Sequence, residues 1–192
     1  MIISHKYKFV LYTPPKTAGS SIAYALSEHC GPEDIITPNP PNDKDETKIE
    51  DTCRNDPSSP LVHQHANPFN SPPPSGYLTI CPVRNPFDVF VSFYFWYNPS
   101  RTTFLEAIAK YGEKWNLNKY WDYPHNYWIK FENLQEDYNN VCKAFGFTPN
   151  KLPRLKTLGR PTREYREFYD KPTINYITNT YSSILKKFDY SF

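Results

Sequence analysis

The sequence predicts an α/β fold with a central parallel sheet flanked by helices. Two observations carry that prediction. Short apolar, β-rich runs occur at "KFVLYT" (8–13), "YLTICPVR" (77–84) and "NYWIKFE" (126–132). Each leads through a brief turn into a segment with helical periodicity or a helix-start signal. Strand–loop–helix repeated in this way sets strands side by side in parallel, with the helices covering them. The 192 residues suit one domain spanning 1–192, long enough to bury a core.

After the first strand, "SSIAYALSEHCG" (20–31) reads as a helix that shares Ile22, Ala25, Leu26 and His29 on one face and stops at Gly31. Residues 31–75 hold ten of the twenty prolines with many Asn, Asp and Ser, so they read as a long irregular insert. Within it "LVHQH" (61–65) is a strand-like island. The second strand feeds "NPFDVFVSFYFWY" (85–97), a helix with Asn85 as N-cap and Pro86 at its first position. A further helix is expected over 101–112, capped by Thr102 or Thr103 and stopped by Gly112. The third strand feeds a helix over 133–146. A single amphipathic helix over 173–188 presents Ile174, Ile177, Tyr181, Ile184, Leu185 and Phe188.

Composition narrows the function. The net charge is +2 and no five like charges run together, which gives no nucleic-acid-binding face. Nine of the twenty acids fall in 28–56, while 143–163 carries six basic residues and no acid. Alone the basic stretch reads as a solvated face; it gains weight beside an anionic ligand. Cys30, Cys53, Cys81 and Cys142 show neither metal-like nor redox-like spacing, and unpaired thiols suit a reducing compartment. No apolar run reaches membrane-spanning length, and "FVLY" is too short for a signal-peptide core. A soluble, cytoplasmic protein is the expectation.

In parallel sheets ligands sit at the C-terminal ends of strands, where two loops fall here. "TPPKTAGSSI" (13–22) joins the first strand to a helix N-terminus, an arrangement that gathers backbone N–H groups and the positive end of a helix dipole. Lys16 adds a charge, Thr17, Ser20 and Ser21 add hydroxyls, Gly19 permits close approach of a ligand, and Pro14 and Pro15 stiffen the entry. The G-x-x-x-x-G-K-[ST] pattern of nucleoside triphosphatases is missing, because the Lys precedes the Gly. The plainer alternative is a strand–turn–helix with a surface Lys. In "CPVRNPFDVFVSFY" Arg84 ends a strand, and Asp88 and Ser92 follow on one helix face. An Arg fork with a nearby hydroxyl can clamp one phosphate. The alternative is an Arg84–Asp88 pair and a solvent-facing Ser92.

Taken together, "PPKTAGSSI" and "PVRNPFDVFVSFY" resemble the paired cofactor motifs of sulfotransferases that use 3′-phosphoadenosine-5′-phosphosulfate (PAPS). "YWIKFENLQEDYNNVCKAFGF" resembles that family's later strand–helix segment. "TREYREFYDKPTINYITNTYSSILKKFDYSF" resembles the C-terminal part of its carbohydrate (heparan or chondroitin) type. The resemblance implies a P-loop-like three-layer α/β sandwich, PAPS as co-substrate, PAP as product, and no metal. It implies that Lys16, with Pro15 and the backbone of Thr17, Ala18, Gly19, Ser20 and Ser21, holds the 5′-phosphosulfate. Arg84 and Ser92 would hold the 3′-phosphate, with Arg163 as a further contact.

Sulfonate transfer to a hydroxyl needs in-line placement, charge relief on the leaving phosphate and a base for the acceptor proton. Lys16 suits the second task and a histidine the third. "LVHQHANPF" offers His65 first and His63 second, a pattern similar to the H-x-H of the carbohydrate 2-O-sulfotransferases. Two solvent-exposed loop histidines are the alternative. His5, His29 and His125 read as structural, and Asp88 and Glu132 as local helix-start groups. The aromatics of 111–131 could stack on a sugar, although core packing explains them better. The acceptor implied is a hydroxyl on a glycan or small molecule. The rival readings are a P-loop-type nucleotide kinase and a non-catalytic nucleotide- or glycan-binding module.

Overall fold

The computed structural model describes residues 1–37, 66–97, 102–155 and 164–192. A five-stranded sheet forms in the order β3-β1-β2-β4-β5. The strands are β1 (Ile2–Ser4), β2 (Phe9–Leu11), β3 (Ile35–Ile36), β4 (Leu78–Val83) and β5 (Tyr127–Lys130). The helices are α1 (Gly19–Ser27), α2 (Pro86–Tyr97), α3 (Phe104–Tyr111), α4 (Asn118–Trp121), α5 (Leu134–Ala144), α6 (Lys171–Thr180) and α7 (Ser182–Phe188).

The expected parallel sheet is present only in part. β2, β4 and β5 run parallel, with Leu11 facing Ile80 and Ile80 facing Tyr127. β1 is antiparallel to both β2 and β3, so the sheet is mixed. β1 and β3 are only three and two residues long, too short to carry a readable alternation. Asp34 supplies what their length does not. Its carboxylate accepts from Ser4 Oγ at 2.8 Å, His5 N–H at 2.6 Å, Lys6 N–H at 3.0 Å and Gly31 N–H at 2.8 Å, tying the turn of the β1–β2 hairpin to the segment that leads into β3.

Period-two alternation splits the side chains between two cores. Phe9, Leu11, Ile80 and Ile129 pack with Ile22, Ala25 and Leu26 of α1 and Tyr138, Val141 and Cys142 of α5. Val10, Tyr12, Cys81 and Val83 face an aromatic layer that includes Phe87, Phe90 and Phe93 of α2, Trp115, Tyr120, Trp121 and Tyr181. The described sheet is thus covered by helices on both faces.

Two helix expectations are corrected. α1 ends at Ser27, four residues before Gly31. The expected 173–188 helix starts at Lys171, behind an Asp170 capping box, and breaks at Tyr181 (φ −116°, ψ 22°). The break turns Tyr181 inward, where its hydroxyl accepts the Leu117 N–H at 2.9 Å, and it leaves the Thr180 carbonyl to accept from Asn118 Nδ2 at 2.9 Å. Those two bonds hold α4, an element without a sequence signal. At α3 the Thr103–Glu106 capping box confirms Thr103 as the start. Gly112 follows it with φ −55°, so a left-handed stop is not its role; a Cβ there would lie 2.6 Å from the Tyr176 hydroxyl.

Candidate active site

The first loop leaves β2 and enters α1 through two left-handed residues, Lys16 (φ 65°) and Ala18 (φ 63°). Neither is glycine, so each costs about 1–2 kcal/mol, a strain that clusters where a loop shape is required. Thr17 sits between them, fully buried, and its hydroxyl donates to the Pro14 carbonyl at 2.7 Å. This bond closes the turn. A Cβ on Gly19 would stand 2.8 Å from Thr13 Cβ, so glycine here permits a close approach to Thr13. Ser21 Oγ accepts the Leu155 N–H at 3.3 Å.

Ala18 is the N-cap of α1 and, having no side-chain oxygen, makes no side-chain capping hydrogen bond. The Ile22 N–H is the first to find a helical acceptor, the Ala18 carbonyl at 3.2 Å. The earlier amides of the first turn, at Gly19, Ser20 and Ser21, point out of the helix end with the dipole behind them.

The second loop is braced by side chains. Asn85 Oδ1 accepts the Phe87 N–H at 3.1 Å, and Pro86 begins α2, as expected. Arg84 is 8% exposed and reaches in three directions. Its Nε donates to Asp88 Oδ2 at 2.7 Å, its Nη1 donates to the Lys16 carbonyl at 2.9 Å, and its guanidinium lies 3.7 Å from the centre of the Phe131 ring. Asp88 therefore serves Arg84, not the helix start alone. The Asn85 N–H donates to Glu132 Oε1 at 2.8 Å, and the Tyr190 hydroxyl donates to Glu132 Oε2 at 2.7 Å. Glu132 was expected to act locally; instead it joins the second loop to the chain's last turn. Burial and the Glu132 carboxylate push the Tyr190 phenol well above its ordinary range, which keeps it a donor.

The two loops are one unit, because Arg84 at the end of β4 holds the backbone of Lys16 after β2. They also share α2. Asp88, Ser92 and Trp96 are spaced by four residues and form one ridge. Asp88 binds Arg84 at the base of the ridge, while Lys16 Nζ lies 3.9 Å from the centre of the Trp96 ring at its top. Half-buried Ser92 stands between the two cationic anchors. Sequence reasoning missed Trp96, Phe131 and Tyr190. The four-residue spacing from Ser92 was the available signal for Trp96; the other two depend on tertiary contacts. Trp115, Tyr120 and Trp121 are at most 3% exposed and belong to the core, so they offer no stacking surface. His63, His65 and Arg163, and the strand-like island at 61–65, lie outside the described residues. Among the described residues no His, Cys, Asp and Glu group is arranged to hold a metal ion, and no helix is long and apolar enough to cross a membrane.

Fold and site define a class: an α/β protein with paired cationic loops at the C-terminal ends of neighbouring parallel strands. A model of the sulfotransferase family matches residues 1–140, a span that contains both loops and the whole α2 ridge. The chain belongs to the sulfotransferase family, and with it to the enzymes that transfer a sulfonate group. Comparisons with curated proteins and with solved structures return no match.

Proposed function

We propose that the protein moves a sulfonate group from PAPS to an acceptor hydroxyl, with a carbohydrate as the acceptor class. The observation that carries this reading is the bond from Arg84 Nη1 to the Lys16 carbonyl, which sets two cationic side chains and the N-terminus of α1 around one mouth. The donor set suits a ligand with two separated anionic groups. Backbone amides of the first turn of α1 and the Lys16 ammonium suit a terminal phosphosulfate. Arg84 and Ser92, one α2 turn from Asp88, suit a second phosphate.

PAPS, when bound, supplies an activated sulfonate whose transfer leaves charge on a phosphate oxygen. The chain's residues answer that charge. Lys16 holds a full positive charge at the mouth, where oriented amides lower the energy of developing negative charge without reorganising. Arg84 fixes the Lys16 backbone, so the mouth is held in shape before the ligand arrives. The acceptor proton passes to His65, with His63 second; Ala66, next in the chain, is buried in the aromatic core. The carbohydrate acceptor rests on the likeness of the C-terminal segment and of the H-x-H pattern.

Calorimetric titration with adenosine 3′,5′-bisphosphate, beside ATP and AMP, tests the reading. The bisphosphate should bind best without magnesium, and Lys16→Ala should weaken it about tenfold, the loss expected for one charge-assisted contact. His65→Ala should leave that affinity in place and abolish turnover with labelled PAPS and a glycan acceptor. A magnesium-dependent preference for ATP would overturn the proposal.

A further inference from the structure

Trp96 has no part in the chemistry proposed above, yet it touches the residue at the centre of it. It lies in the last turn of α2 with 39% of its surface exposed, an unusual place for an indole. The Lys16 ammonium sits over its face at 3.9 Å from the ring centre. Lys16 is thereby held at both ends. Its carbonyl is fixed by Arg84, its backbone is locked left-handed, and its ammonium is set against α2 one turn beyond Ser92. The chemistry of the partner matters. A carboxylate at this position would localise the ammonium but cancel its charge. An aromatic face localises it through the ring quadrupole without neutralising it.

We infer that Trp96 is a positioning residue: its ring holds the Lys16 ammonium across the mouth of the first loop, in place for the anionic phosphosulfate end of the donor. The inference rests on the PAPS reading and adds to it the residue that orients the catalytic cation. Tryptophan is the strongest of the aromatic partners for a cation, so the effect should be graded by ring rather than by bulk.

Two measurements test it, on the full chain, with melting curves showing that the variants fold. In the first, limited acetylation with acetic anhydride is read peptide by peptide, with exposed Lys114 as internal reference. Lys16 should react about twofold to fivefold faster in Trp96→Leu than in the parent, with Trp96→Phe between them, as a surface cation–π contact predicts. In the second, adenosine 3′,5′-bisphosphate is titrated into the parent, Trp96→Leu, Lys16→Met and the double variant. Trp96→Leu should weaken binding by about the same factor in the parent and have no effect in Lys16→Met, since its action runs through Lys16. A loss that persists in Lys16→Met, or tighter binding by Trp96→Leu, would overturn the positioning role and leave the cofactor reading standing. No bisphosphate binding by the parent would overturn the cofactor reading; the acetylation contrast then decides the Trp96–Lys16 contact separately, and its absence would overturn the positioning role as well.

Discussion

The two loops at the mouth are built on opposite plans. The loop after β2 gets its shape from backbone: two left-handed residues, a buried threonine that closes the turn, and a glycine pressed against Thr13. The loop after β4 gets its shape from side chains: an Asn85 cap, a Pro86 start, and Arg84 braced by Asp88 and Phe131 while Glu132 holds the Asn85 amide. The first plan leaves helix-end amides pointing outward and stores strain. The second spends its polar groups on one another. The Arg84–Lys16 bond lets the relaxed loop hold the strained one in place.

That dependence makes Arg84→Ala the most damaging change. It removes the charge facing Asp88, whose side chain is only 16% exposed, and releases the Lys16 carbonyl. Loss of one member of a mostly buried pair costs about 3 kcal/mol or more. Chemical denaturation should show it, and Arg84→Ala with Asp88→Ala should recover part of the loss. Equal losses in the single and double variants would mean that the charge left on Asp88 is not the source of the cost.

Acid stability provides a reference that involves neither loop. His125 is buried against Tyr12, Tyr123 and Trp128, its Nε2 lies 2.9 Å from the Tyr120 carbonyl, and burial lowers its pKa from 6.5 to about 4. The folded state therefore resists protonating it, while the unfolded chain takes up a proton below pH 6.5. Its contribution is complete above that value and is lost as the pH falls towards 4, about 3 kcal/mol over the window. His125→Gln should flatten this part of the stability–pH curve, and bisphosphate binding at pH 7 should not change. An unchanged slope would place the acid-labile group elsewhere.

The contrast between the loops also explains what could be read from the sequence. The second loop was legible because its signals are local: Asn-Pro before an apolar helix, and Arg84, Asp88 and Ser92 at helical spacing. The three parallel strands were legible as apolar runs, and the family resemblance followed from the two loops in order. Roles set by contacts across the fold were not legible. The packing of Gly19 against Thr13 has no local signal. Glu132 reads as a local cap until Asn85 and Tyr190 meet it from 47 residues before and 58 residues after. β1 and β3 stayed hidden because two or three residues carry no period, and Tyr181 gives no sign that it breaks a helix whose apolar face continues through it.

Gly19→Ala sharpens the comparison from the side of the first loop. The added methyl would meet Thr13 Cβ at 2.8 Å, and Thr13 is 5% exposed and cannot swing away. Overpacking of this kind costs about 1–3 kcal/mol. The expected result is a lower melting temperature together with weaker bisphosphate binding, because the amides of α1's first turn shift with the loop. If stability falls and binding holds, the first turn is not where the ligand sits.

The smallest expected effect has the opposite sign. Ala18 is held at φ 63°, ψ 19°, a region that costs a residue with a Cβ about 1–2 kcal/mol and costs glycine almost nothing. Ala18→Gly relieves that strain, offset in part by the greater freedom of glycine in the unfolded chain, for a net gain of about 0.5–1 kcal/mol. The relieved loop is also a looser one. If the left-handed turn is held for the sake of the mouth, the variant should be more stable and bind the bisphosphate slightly less well, because glycine lets the amides of Gly19 and Ser20 sample other directions. A gain in both stability and affinity would show that the strain at Ala18 serves no purpose at the mouth, and the backbone plan of the first loop would then rest on Thr17 and Gly19 alone.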